Sequence, residues 1–297
     1  MEALSLNIEK DLESRLRDLM DESNLNVGLA REISGGSINK VYLVKVSSSK
    51  LPGEVIVKSH EKPPKDFFFK EANGLKSLSF LAKKGTTLRV PEVYGHNDHM
   101  LVLEYIPAGS ENSYDQLAKG LLELYSFHRP SFGFDEDNYI GLNDQKNTLS
   151  NDWGSFFYNE RLLFQVEKTA DESWKMKLEE LKPKMIGLIT KHHPKPSLVH
   201  GDLWNGNFFF DQTGKPVLID PAVSYSDPMV DIAMTSLFGE LPDSFYQTII
   251  KGLGLNGDHV MPLFIIYNFY HILNHYNLFG NSYAPQVERM FQEIENL

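Results

Sequence analysis

The sequence predicts an α+β fold of two lobes: a small N-terminal lobe with an antiparallel sheet over residues 1–106, and a mostly helical lobe over residues 107–297. Three observations carry this. Strand-forming runs cluster early, at Val41–Val44, Glu54–Lys58 and Met100–Ile106, and Pro107-Ala108-Gly109 breaks the last of them. Beyond that break, apolar residues recur mainly at helical spacing. Within the later part, His200-Gly201-Asp202-Leu203-Trp204-Asn205-Gly206-Asn207 and Ile219-Asp220-Pro221 flank a short hairpin.

The first lobe opens with a helix over about residues 8 to 23, where Ile8, Leu12, Leu16, Leu19 and Met20 keep a 3.6-residue period. Ser34-Gly35-Gly36-Ser37 then turns the chain into the strand Val41–Val44, and Glu54–Lys58 forms the next strand. This is the layout of a hairpin that covers nucleotide phosphates, followed by a strand ending in lysine as in kinases. Glu71 lies thirteen residues after Lys58, in a helix from Phe67 to Leu81, where it can pair with that lysine and hold it against the phosphates. Val90-Pro91 closes a connection. In a two-lobe kinase the strand end at Glu104, Tyr105 and Ile106 is the hinge, where backbone groups hold adenine.

In the second lobe, Ser113-Tyr114-Asp115-Gln116 fits a capping box, and Leu117, Leu121, Leu124 and His128 share one helical face until Pro130. Further helices are predicted over Trp153–Val166, Phe245–Leu253, Pro262–Tyr276 and Gln286–Ile294. His192-His193, before Pro194, has the pattern of a solvated turn. His271 and His275 are one helical turn apart, as zinc ligands are, but Ile272 occupies the position where a zincin carries glutamate, so they are expected to be packing or capping residues.

The motif between them has a chemical reading. Leu198-Val199 is a short buried strand, and Gly201 permits a tight turn after it. Phe208–Phe210 and Pro216–Ile219 pair through the turn Asp211-Gln212-Thr213-Gly214, so Asn207 and Asp220 fall at adjacent strand ends where both can reach one metal. Kinase-type phosphoryl transfer needs this division of labour: hard oxygen ligands hold magnesium beside the ATP phosphates, and a separate carboxylate, Asp202, orients the incoming hydroxyl.

Composition sets boundaries around that reading. The 297 residues contain no cysteine, which excludes disulfides, cysteine-ligated zinc, iron-sulfur clusters and thiol nucleophiles. A net charge of −11 argues against a nucleic-acid partner held through phosphates. No apolar run reaches the roughly 18 residues of a membrane span, and the acidic N-terminus lacks the pattern of a signal peptide, so a cytoplasmic protein without membrane contact is expected.

The His200–Asn207 motif resembles the catalytic loop H-G-D-x-x-x-x-N of the aminoglycoside-phosphotransferase and choline-kinase branch of the protein-kinase-like fold. That resemblance implies Asp202 as catalytic base, Asn207 and Asp220 as magnesium ligands, and His200 and Asp231 as supports of the loop. A narrower resemblance covers nearly the whole chain. Phe127-His128-Arg129-Pro130-Ser131-Phe132-Gly133-Phe134, the spaced Asp152-Trp153, Phe156-Phe157 and Arg161-Leu162, and Leu203-Trp204 within the loop resemble the fructosamine-3-kinase family.

That family implies ATP- and magnesium-dependent phosphorylation of the sugar 3-hydroxyl of ketosamines, small or protein-linked, with Trp204 stacking on the sugar or amine or, equally, wedging the loop. The chain departs from the family in one place: Ser37 stands where many members carry a redox-sensitive cysteine, so a thiol switch is not carried over. Two alternatives stand beside this expectation, an aminoglycoside- or choline-type kinase and a nucleotide-binding regulator without turnover. Retention of Asp202 speaks against the regulator, because a binder has no use for a base.

Overall fold

A computed structural model describes residues 2–33, 38–82 and 86–297. Gly35, Gly36 and Ser37 of the expected phosphate-covering turn lie outside the described residues. Helix α1 (Glu2–Met20) leads into strands β1 (Asn26–Glu32), β2 (Lys40–Ser47) and β3 (Glu54–Ser59). Helix α2 (Phe67–Ala82) follows, then β4 (Val93–Asn97) and β5 (Met100–Glu104). The five strands form one antiparallel sheet in the order β1-β2-β3-β5-β4.

Strand alternation divides the side chains of this sheet between two cores. Val44, Val55, Val57, Met100 and Val102 pack beneath α1 against Leu12 and Leu16. Leu101 and Leu103 point the other way and join Phe68, Leu75 and Leu78 of α2 in the core that continues into the helical region. Lys58, directly after Val57 and paired in register with Leu101, therefore projects toward α2.

The helical region starts with α3 (Tyr114–Tyr125), followed by the small hairpin β6 (Asn138–Ile140) and β7 (Asn143–Gln145). Ser113 is the N-cap of α3 but its side chain makes no capping hydrogen bond, so the capping box predicted there does not close. The predicted helix over 153–166 is three pieces: α4 (Trp153–Phe157), a π-helical segment (Tyr158–Leu163) and α5 (Phe164–Thr169). Helix α6 (Glu172–Thr190) is capped by Asp171, which accepts from the amides of Ser173 and Trp174.

Strand β8 (Ser197–Val199) enters the central motif, and the hairpin β9 (Phe208–Phe210) and β10 (Pro216–Leu218) follows it with the predicted turn. Strand β11 (Ser224–Ser226) returns to pair with β8. Helices α7 (Met229–Leu237), α8 (Asp243–Gly252), α9 (Val260–Phe279) and α10 (Ala284–Asn296) complete the chain, with α9 as the buried centre through Leu263, Ile266, Phe269 and Leu273. No helix among the described residues is long and apolar enough to cross a membrane.

Candidate active site

The loop from β8 to β9 is held in shape by one carboxylate. Asp231, fully buried on α7, accepts from the amide of His200 through Oδ2 and from that of Gly201 through Oδ1, both at 2.7 Å, and the Tyr125 hydroxyl donates to it at 3.0 Å. Burial pushes Asp231 up to about 6 against those three hydrogen bonds. Gly201 has φ +83°, and a Cβ there would fall on the carbonyl oxygen of Ala222, so the turn accepts only glycine.

His200 spans the base of the loop. Its Nε2 lies 2.7 Å from the Ile219 carbonyl, and the Asp202 amide donates to Nδ1 at 3.3 Å. Only the Nε2-protonated neutral ring satisfies both contacts. Burial agrees, lowering its pKa to about 4. One imidazole thus ties the loop carrying Asp202 to the strand end that precedes Asp220.

At the other end of the loop, Asn207 donates through Nδ2 to the Asp202 backbone oxygen and to Asp202 Oδ2, both at 2.9 Å. Burial and the facing Asp220 carboxylate push Asp202 up to about 7, which the Asn207 hydrogen bond only partly opposes. Asp220 has φ +56°, a left-handed conformation that aspartate tolerates better than most residues. Its side chain is 41% exposed, whereas that of Lys58 is 5% exposed, and the two meet at 2.7 Å. Lys58 also meets Glu71 at 2.6 Å. Burial disfavours the ammonium, but the Asp220 and Glu71 carboxylates outweigh it and hold Lys58 protonated.

These side chains share one cavity of about 590 Å³ between the sheet and the helical region, lined also by Glu104, Tyr105, Ile106 and Trp204. Val41, Ile56, Leu103, Phe209 and Ile219 give it apolar walls. Of the predicted residues among those described, only His200 and Asp231 stand behind the lining. Glu71 and Asp220 meet Lys58, and Asp202 and Asn207 line the same cavity; the hard oxygens of Asn207 and Asp220 are of the kind magnesium takes. Glu104 is tied down on two sides: its carboxylate binds Arg89 at 2.6 Å and its amide donates to Glu92 O at 2.8 Å.

Several neighbours escaped the sequence reading. Arg89 joins Glu104 at the end of β5 to Asp211 in the β9–β10 turn, the latter at 2.9 Å. Phe209 was legible in principle, because Phe208 and Phe210 are buried on one face of β9 and the period of two sends Phe209 to the other. Asn138 and Tyr139 line the cavity from β6 without any motif to mark them. The chain turns at His192 as expected and His193 is exposed, but the His192 side chain is not solvated: it is 10% exposed and lies 2.9 Å from the buried Asp227. His271 is buried in α9, and His275 Nδ1 lies 2.7 Å from its carbonyl, a packed pair.

A five-stranded antiparallel sheet over a helical region, with an acid, an amide and a second acid in the cleft, defines a protein-kinase-like fold. Solved structures agree on the fold. One described as "Putative fructosamine-3-kinase" from Haemophilus somnus 129PT superposes with a TM-score of 0.79 at 24% identity, covering 95% of this chain and 96% of that one. The streptomycin-ATP-APH(2")-IIa ternary complex gives 0.64 at 15% identity, covering 95% of each.

The sequence profile described as fructosamine kinase matches residues 11–296. A "Probable ketoamine kinase" of Enterococcus faecium is 36% identical over 96% of this chain and the whole of that protein. The chain belongs to the fructosamine kinase family, a family of phosphotransferases.

Proposed function

We propose that the protein transfers the γ-phosphoryl group of ATP to the sugar 3-hydroxyl of a ketosamine, a fructosamine or ribulosamine adduct. The observation that carries this is the meeting of Asp202, Asn207, Asp220 and the Lys58–Glu71 pair in one cavity. In the reaction the substrate oxygen bonds to the γ-phosphorus while the bond from that phosphorus to the bridging oxygen of ADP breaks. Asp202 takes the hydroxyl proton. Burial, the largest cause of its raised pKa, makes Asp202 a readier proton acceptor than an exposed aspartate.

Lys58, fixed by Glu71, steadies the phosphates, and the apolar walls with the backbone at Glu104, Tyr105 and Ile106 take the adenine. Asn207 and Asp220 would hold magnesium, which supplies positive charge against the phosphates. His200 and Asp231 fix the loop, so catalysis comes chiefly from positioning and charge stabilisation. Trp204 borders the place where a cationic amine would lie. The same reading divides the chain at about residue 106 into an ATP-binding lobe and a catalytic lobe, and sets the reaction in the cytoplasm.

A coupled ADP-release assay with magnesium and ATP, run against ketosamines, aminoglycosides and amino alcohols, tests the reading. Turnover is expected with fructosyl- or ribulosyl-lysine. Inert ketosamines beside an active aminoglycoside or amino alcohol would move the assignment to another acceptor of the same fold.

A further inference from the structure

Between the end of β10 at Leu218 and the start of β11 at Ser224, the chain carries Asp220 through a stretch without regular structure. Its backbone polar groups find partners in two directions. Upstream, the catalytic loop meets them: the Ile219 amide donates to Asn207 O, the Ile219 carbonyl meets His200 Nε2, and the Ala222 amide donates to His200 O. Downstream, the β6–β7 hairpin does so. Gln145 Nε2 donates to the Ala222 carbonyl and Asn138 Nδ2 to the Val223 carbonyl, both at 2.9 Å.

Those two amides are oriented from behind the cavity. Arg161, buried in the π-helical segment with Phe156 4.8 Å below its guanidinium, gives its hydrogen bonds to neutral acceptors: the Lys146 and Glu160 carbonyls and Asn147 Oδ1, the last at 2.8 Å. A guanidinium only donates, so Asn147 must turn its oxygen to Arg161. Asn147 Nδ2 then donates to Asn138 Oδ1 at 2.9 Å, which leaves Asn138 Nδ2 for Val223. Gln145 Nε2 lies between two acceptors, Ala222 O and Asn138 Oδ1, while its Oε1 accepts from the Tyr270 hydroxyl at 2.9 Å. Reversing any of these amides sets oxygen against oxygen. Asn138, Gln145, Asn147 and Arg161 are all buried, where a fully satisfied network of this kind is rigid.

We propose that Arg161 and Gln145 are positioning residues for the reaction: acting directly and through Asn147 and Asn138, they fix the carbonyls of Ala222 and Val223 and so hold the Asp220 carboxylate at its place in the cavity. The proposal rests on the reading of Asp220 as a magnesium ligand. The backbone at Asp220 has little hold of its own, since its φ is +56°, its carbonyl meets Asn207 at 3.5 Å and Pro221 after it has no N–H. A conformation of that kind persists where its surroundings over-determine it, and the network supplies the downstream half of that constraint. Neither Arg161 nor Gln145 lines the cavity, so each acts on the reaction through other residues.

The test is isothermal titration with a non-hydrolysable ATP analogue, with and without magnesium, on Arg161→Met, Gln145→Met and, as reference, Asp220→Ala. Without magnesium, the two methionine variants are expected to bind the analogue within about twofold of the native protein, whereas the factor by which magnesium tightens binding should fall at least about threefold. Arg161→Lys, which keeps a cationic donor, should retain more of that factor than Arg161→Met. Gln145→Met carries the comparison if Arg161→Met does not fold. An undiminished magnesium factor in either folded methionine variant overturns the proposal, as does an equal loss of affinity with and without magnesium, the mark of general damage to the fold. If Asp220→Ala itself keeps the full magnesium factor, the magnesium reading has failed and the positioning role falls with it.

Discussion

Lys58 Nζ sits 2.7 Å from Asp220 Oδ1, on a residue 162 positions further along the chain, and 2.6 Å from Glu71 Oε1. The sheet and the helical region are thus joined through one buried ammonium in the wall of the cavity. Asp220 is shared in the proposed function, since the carboxylate that meets Lys58 through Oδ1 is also the one assigned to magnesium. The lysine therefore does two things, one structural and one for the phosphates.

Those two can be separated by substitution. Lys58→Met leaves Glu71 buried without its cation, and breaking a buried pair from one side costs on the order of 3–5 kcal/mol of stability. Replacing both partners by apolar residues of similar size is often close to neutral. Urea denaturation should therefore find Lys58→Met much less stable than the native chain and Lys58→Met/Glu71→Leu substantially recovered. Nucleotide turnover should be lost in both. A double variant as unstable as the single one would show that the pair does not act as a unit.

Gly201 and Gly214 allow a cleaner comparison, because both have positive φ, +83° and +77°, but only Gly201 faces an obstacle. Alanine at 214 meets no atom within 4 Å and should cost only the left-handed penalty of about 1–2 kcal/mol. Alanine at 201 must also displace the Ala222 carbonyl, which accepts from Gln145 Nε2, or shift residue 201 itself, whose amide Asp231 holds. Gly201→Ala is expected to lose activity and to melt well below Gly214→Ala in a thermal scan. Equal melting temperatures would contradict the close approach.

His271 predicts a pH dependence. Burial, with His275 and Arg161 nearby, lowers its pKa to about 3, against an ordinary value of 6.5. The unfolded chain therefore binds a proton below about pH 6.5 that the folded chain refuses, and stability attached to this residue is present above that pH and falls toward pH 3. Asp202 and Asp231, with raised values, work in the opposite sense, so the comparison must be made against a variant. At 1.36 kcal/mol per unit, the stability gap between native protein and His271→Gln should shift by roughly 2 kcal/mol between pH 7 and pH 5, in favour of the variant at low pH. A gap that stays constant across that range would rule out a neutral buried imidazole.

Which of these features the sequence disclosed follows from their range. Strands β3, β5, β9 and β10 and helix α2 carry their own period, and Asp202, Asn207 and Asp220 stand at fixed local spacing, so all were legible. The three-way contact of Arg89 with Glu104 and Asp211 was not, because it spans 122 residues between its outer partner and the arginine. His192 looked solvated for the same reason: Asp227, which meets it, arrives from a later loop. The π-helical segment was invisible because apolar periodicity continues across it. Ser113 fits a sequence pattern whose hydrogen bond the backbone does not make. Local chemistry was readable, and tertiary partnership was readable only where a motif carries it, as for Lys58 and Glu71.

Asp202 and Asp220 face each other across the site, and the proposed roles predict different failures when each is changed. Asp202→Asn keeps the volume and leaves Asn207 a carbonyl oxygen to donate to, so ATP binding should be nearly unchanged. What is lost is proton acceptance. General-base contributions are typically 10²–10⁴-fold, so kcat should fall by about 10² or more with little change in the KM for ATP. Asp220→Ala removes a magnesium ligand and one of the two carboxylates on Lys58, so it should raise the KM for magnesium-ATP as well as lower kcat. Isothermal titration with a non-hydrolysable ATP analogue, with and without magnesium, separates the two variants: Asp202→Asn should retain the magnesium-dependent gain in affinity and Asp220→Ala should lose it. Near-native turnover in Asp202→Asn would remove the base from the mechanism, and an undiminished magnesium effect in Asp220→Ala would remove the ligand.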